Sequence, residues 1–277
     1  MQPTDAEISA ALARYRERIV SHNRKALTQI VQMAEAAQPR APKTHEGMRK
    51  ARLRFIRDVL GITRPELGQN PAERIDGLAD VEAFWPELVR TLALDGVYIT
   101  ENNEQRERDR VAYREGVLTR LREQGDGDAA NLEFPDDFWT LMGLVDSLEG
   151  HGWPQWRDEG QQIRFWDGLG ESVEEVAQRV VDVGDLDLDL ECLAGWECGS
   201  GPETTCYVLY CRAGEDGGSD GGGDTGNKSW QWRYVANMGQ YGVEVLDNVV
   251  ELLKWHEELN APDLEQLDSY TNSVFTD

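Results

Sequence analysis

The sequence predicts an α+β protein, and two observations carry that prediction. Apolar residues recur at three- and four-residue steps through the first half of the chain, the helical period. In the second half the period changes to strict alternation in several short segments, the strand period. Composition changes at the same place. Residues 1–130 hold 21 Lys+Arg against 21 Asp+Glu, whereas residues 131–277 hold 7 against 31 and carry the whole net charge of −24. Eight of the nine tryptophans also lie in the second half.

In chain order, residues 5–37 read as one long helix. Ile8, Leu12, Tyr15, Ile19, Ala26, Ile30 and Met33 form its apolar stripe, and Pro39 and Pro42 end it. Residues 44–60 read as a second helix with a cationic run at Arg49, Lys50, Arg52, Arg54 and Arg57. A Pro/Gly-rich connector leads to a helix over 79–95, interrupted or started near Pro86, and then to a short strand or extended link at 96–100. Residues 102–123 form a highly charged helix with Val111, Leu118 and Leu121 inward. Gly125-Asp126-Gly127-Asp128 is a linker signal at the composition break. The predicted domains are therefore a helical region over 1–125, an α+β domain over 126–260 whose helical start reaches back towards 105, and an acidic tail over 261–277.

In the second domain, residues 135–149 read as a helix, and Trp153-Pro154-Gln155-Trp156 as a turn. Residues 162–167 read as a strand. Ser172 with Glu175 three residues on forms a capping box for a helix over 173–182. Residues 184–193 alternate, with Leu186, Leu188 and Leu190 on one face and Asp185, Asp187 and Asp189 on the other. Strands over 204–212 and 229–236 read as a hairpin whose Gly/Asp-rich loop, 213–228, cannot form a regular element. A short strand or extended entry at 243–245 precedes a helix over 248–259, with Asn248 as N-cap.

The charge excludes nucleic-acid binding as a main activity, because phosphate contacts need Lys and Arg, and it disfavours anionic membrane surfaces. No run approaches 18 apolar residues, so no membrane span is expected. The N-terminal residues carry no apolar core of signal-peptide length, which predicts a cytoplasmic or nuclear protein. Cys192, Cys198, Cys206 and Cys211 have spacings unlike a zinc site and read as small core residues. His22, His45, His151 and His256 form no local constellation, and no catalytic motif stands out. No cofactor or metal is expected.

Two segments carry a family resemblance. One is Phe134-Pro135-Asp136-Asp137-Phe138 running into Leu144-Val145-Asp146-Ser147-Leu148-Glu149-Gly150-His151-Gly152. The other is Trp232-Arg233-Tyr234-Val235-Ala236, followed by Val245-Leu246-Asp247-Asn248-Val249-Val250-Glu251-Leu252-Leu253. Together they resemble the helix start, closing strand and C-terminal helix of the SUKH superfamily, the Smi1/Knr4-like domains, in a fungal form. Ser147 stands where the family usually has a turn glycine, and the N-terminal helices are not covered. The resemblance implies one curved, mostly antiparallel sheet flanked by helices and no catalytic residues. It also implies a protein-binding role, as in immunity proteins and in regulators of cell-wall signalling.

The functional expectation is a non-enzymatic intracellular interaction module with an acidic, Trp-bearing surface. Asp185, Asp187 and Asp189 would steer a basic protein partner, and some of Trp196, Trp230 and Trp232 would anchor it while most of the aromatic residues form core. The alternative is a metal-dependent hydrolase using the same aspartates, since carboxylates two apart on a strand face can converge on one cation. A third reading has the basic helix at 49–57 cover the acidic face from within the chain.

Overall fold

The computed structural model describes residues 2–36, 44–50, 75, 77–124, 131–151, 165–166, 169–186, 188–201, 204–213 and 229–259. The predicted α+β class is observed. The chain forms two compact units that interleave in sequence: Met1–Leu12, Tyr98–Leu148 and Ile163–Trp255 make one, and Ala13–Val97, Glu149–Gln162 and His256–Asp277 make the other. This differs from a boundary at 125–130. The charged helix before that point packs with the sheet-forming half, because its apolar positions find partners there.

That helix is α4 (Asn103–Gln124), which buries Tyr113, Gly116, Val117, Leu118 and Leu121. The first unit also contains α5 (Asp136–Leu144), β2 (Ser147–Leu148), α6 (Val173–Ala177), and α7 (Val249–Glu258) as far as Trp255. Its sheet is a four-stranded antiparallel meander of β3 (Leu190–Gly201), β4 (Thr204–Ala213), β5 (Gln231–Asn237) and β6 (Val243–Leu246), in that order. Register shifts after Cys192 and after Glu197 put bulges in β3, and bulges bend a strand.

One sheet face carries Trp196, Val208 and Tyr234, which are register partners in sequence across β3, β4 and β5. All three are fully buried. Trp196 Nε1 donates to Tyr113 Oη on α4 at 3.0 Å, and its ring lies 6.2 Å from Phe138 on α5. Burying such rings contributes about 2–3 kcal/mol each. Asp137 locks the same layer. Its carboxylate accepts from Tyr234 Oη at 2.8 Å and from the Val249 N–H at 3.0 Å, so it also caps α7. Gly116 marks where α4 and α6 touch: a Cβ there would meet the Val173 carbonyl at 2.7 Å and Val176 Cβ at 2.9 Å.

The opposite face has a smaller cluster. Leu209, Cys211 and Val235 are covered by Val183, Leu186, Leu188 and Leu190. The predicted cap of α6 is present, with Ser172 Oγ accepting from Glu175 N–H and the Glu175 carboxylate accepting from Ser172 N–H. Asn248 Oδ1 likewise accepts from Val250 and Glu251 N–H at the start of α7.

In the second unit, α1 (Asp5–Ala36) from Ala13 onward and α3 (Leu78–Leu92) share a core of Leu27, Ile30, Val31 and Ala34 with Val81 and Leu88. Pro86 lies inside α3 without ending it. Residues 45–50 are helical (α2), with Arg49 and Lys50 exposed. Arg52, Arg54 and Arg57 lie outside the described residues, as do the 213–228 loop beyond 213, Trp153, Trp156 and the 261–277 tail. The link at 96–100 contains β1 (Val97–Tyr98), which pairs with β2 as a two-stranded sheet. Of the strand expected over 162–167, Phe165 bridges to Leu148.

Candidate functional site

The segment carrying the three aspartates is not the predicted strand. Residues Val183–Asp185 form a 3-10 turn, and β3 begins only at Leu190. Local hydrogen bonds explain the change. Asp182 accepts from Gly184 N–H through its side chain at 3.1 Å, and Leu188 N–H donates to Leu186 O at 3.0 Å. Backbone groups satisfied by such turns are lost to a ladder. Leu186, Leu188 and Leu190 still point inward, so the alternation reported a buried side correctly. Asp185 and Asp189 are exposed, and Asp187 lies outside the described residues.

The tryptophans lie on the other side of the sheet. Trp196 is fully buried and Trp232 is 8% exposed, with its Nε1 donating to Glu133 O at 3.0 Å. Neither offers a partner an aromatic face, which corrects the expectation that they anchor one. Trp230 is half-buried, stacked on Tyr210 with the Arg212 guanidinium 4.8 Å from its ring. The expected single surface of aspartates and tryptophans is therefore divided between two faces. Among the described residues no three His, Cys, Asp or Glu side chains group to hold a metal ion.

Exposed apolar surface gathers instead at β6. This strand pairs with β5 on one side and has no strand on the other among the described residues. Tyr241, Val243 and Val245 are 73%, 42% and 38% exposed. Val243 and Val245 share one face by strand alternation, and Glu244 between them is exposed on the other. Val245 is the register partner of Val235, and Val235 packs under Leu186 and Leu188. Asp185 and Asp189 thus belong to the segment covering the same face that Val243 and Val245 extend. An open edge offers unpaired backbone N–H and C=O groups to an incoming strand.

A cleft of about 230 Å³ lies beside β3, lined by Leu121, Gln124, Val181, Asp182, Val183, Leu193 and Ala194. Sites for small organic ligands run about 300–1,000 Å³, so this one suits a side chain better than a metabolite.

The second unit holds a polar node that sequence spacing concealed. The Tyr15 hydroxyl donates to Gly96 O at 3.0 Å and accepts from Gly150 N–H at 3.1 Å. His256 Nδ1 stands 3.0 Å from the same oxygen. With the hydroxyl proton on Gly96 O, Nδ1 is the protonated nitrogen and donates to Tyr15. Gly150 takes φ +66°, and a Cβ there would meet the His256 ring at 3.2 Å. His151 Nε2 is 2.8 Å from Glu257 O and must donate to it. Its Nδ1 is then a buried lone pair, and its ring meets His22 edge-on at 4.9 Å. Burial lowers the His151 pKa to about 4, helped by the facing charges of His22, His256 and Arg18 and opposed by the bond to Glu257. The buried Glu257 carboxylate is held by Arg18 at 2.8 Å and Arg14 at 3.4 Å. Tyr15 and His256 are 0% and 1% exposed, so the node is closed to solvent. The only sequence signal was Gly150-His151-Gly152, a histidine between turn glycines.

No family model matches the chain, and no curated protein or solved structure shows significant similarity to it. No helix among the described residues is long and apolar enough to cross a membrane.

Proposed function

We propose that the chain is a non-enzymatic protein-interaction module of the Smi1/Knr4-like kind. Its docking element is the β6 edge, and its partner is an extended segment bearing Lys or Arg. The observation that carries this reading is an edge strand with no neighbour on its outer side among the described residues, where Tyr241, Val243 and Val245 are exposed together. Strand addition supplies affinity through backbone hydrogen bonds and specificity through alternate side chains. Glu244, Asp185 and Asp189 are exposed around this surface, and the half of the chain that builds the sheet carries all of the net charge of −24. A field of that sign raises encounter rates with basic partners.

The test is selection of binding peptides from a random display library, followed by amide NMR of the full chain with the selected peptides. Expected are Lys/Arg-containing extended peptides whose binding shifts the amides of 243–246 and weakens at high salt. A Val243→Lys/Val245→Lys variant, altered only at exposed positions, loses that binding. Peptides without basic residues, or shifts confined elsewhere and indifferent to the variant, overturn the proposal.

A further inference from the structure

Cys192 on β3 and Cys211 on β4 stand directly opposite one another in the antiparallel register. Opposed residues in such a pair have Cα atoms about 4.5 or 5.5 Å apart, and both spacings lie in the range of about 4.4–6.8 Å that a disulfide spans. Both thiols are free, with Cys192 half-buried and Cys211 buried. Cys192 Sγ donates to the Leu190 carbonyl at 3.8 Å. Arg233 is fixed against Cys211: its Nη1 donates to Cys211 O at 2.7 Å and lies 3.9 Å from Cys211 Sγ. Arg233 is 5% exposed, and its Nε also donates to Asp247 at 2.9 Å, so part of its charge is offset by that carboxylate. The register shift immediately after Cys192 lets β3 adjust locally.

We propose that Cys192 and Cys211 form a redox-responsive dithiol that a hydroperoxide closes to a cross-strand disulfide. The Cys192 sulfur, half-buried and the more accessible of the two, takes one oxygen from the hydroperoxide, giving a sulfenic acid and releasing the alcohol, or water from hydrogen peroxide. The Cys211 thiolate then attacks that sulfur. The S–O bond breaks, the S–S bond forms, and the departing hydroxide leaves as water with the proton Cys211 gave up. Two thiols are oxidised by two electrons and one peroxide bond is reduced.

The contact with Cys192 and the charge of Arg233 lower the Cys211 thiol below its ordinary range, against its burial and Asp247, which suits Cys211 to the resolving role. The same contact raises Cys192, so the informative readout is the product and not the speed. The bridge would pin the start of β3, whose Leu190 and Cys192 help cover Leu209 and Val235. Cys198 and Cys206 are fully buried and serve as internal comparators.

The experiment exposes the folded full chain to hydrogen peroxide at a dose that fully oxidises glutathione, then alkylates, digests and weighs it. Expected is a loss of about 2 Da, reversed by dithiothreitol, with a Cys192–Cys211 linked peptide. Two of the four thiols stay alkylatable, and a Cys192→Ser variant gives no such product. A Cys198–Cys206 link, oxygen additions of about 16 Da without a cross-link, or four unreacted thiols would each overturn the proposal.

Discussion

Acidification should destabilise this protein through His151, and replacing His151 with Gln should remove that sensitivity. His151 has a folded pKa of about 4 against an ordinary 6.5. The unfolded chain therefore binds more protons between those values, and stability rises with pH across the window. The sign is that of a depressed base: the contribution is complete above about pH 6.5 and drains away as pH falls towards 4. Each pKa unit corresponds to about 1.4 kcal/mol, so the full effect is about 3 kcal/mol, of which about 2 is lost by pH 5. Gln keeps an N–H donor for the Glu257 carbonyl but does not titrate. Urea unfolding of both proteins at pH 7.5, 6 and 5 gives the test, since the difference between them cancels the carboxylates they share. The wild type should lose about 2 kcal/mol more than the variant between pH 7.5 and 5. Parallel pH profiles, or a wild type that gains on the variant at pH 5, would show that His151 is not the titrating group.

Tyr15→Phe deletes a hydroxyl that serves Gly96 O, Gly150 N–H and His256 Nδ1. Stranding three buried groups should cost about 3 kcal/mol in urea unfolding, and a cost below about 0.5 would show that the node is not closed. Gly116→Ala should lower the melting temperature despite a helix-propensity gain of about 1 kcal/mol. The new Cβ meets Val173 O at 2.7 Å, and overpacking costs about 1–3 kcal/mol. A raised melting temperature would show that α6 yields freely.

Much of the fold was legible because its signals are local. The stripe of α1, the Ser172–Glu175 box and the Asn248 cap each need only a few neighbouring residues, and each is present. The second half of β3 was not legible, since Gly195, Gly199 and Gly201 dilute its alternation. The aspartate segment misled because turns and strands can both bury every second leucine, and the Asp182 side chain decides between them. The interleaving of the units was hidden by composition, which changes along the chain while packing follows apolar faces. His22, His151 and His256 meet only through the tertiary fold, beyond the reach of any motif. At the candidate interface the sequence suggested only a short strand or extended entry at 243–245, and the structure shows that no strand covers its far side among the described residues. Trp196 and Trp232 were named from residue type alone, and their N–H groups are used inside the protein.

Amide NMR of the full chain with a display-selected, Lys/Arg-bearing peptide decides whether β6 receives a basic extended segment. Expected are shifts concentrated at residues 243–246, reduced by salt and absent in the Val243→Lys/Val245→Lys variant. Binding that leaves those amides unmoved and survives the double substitution would contradict it.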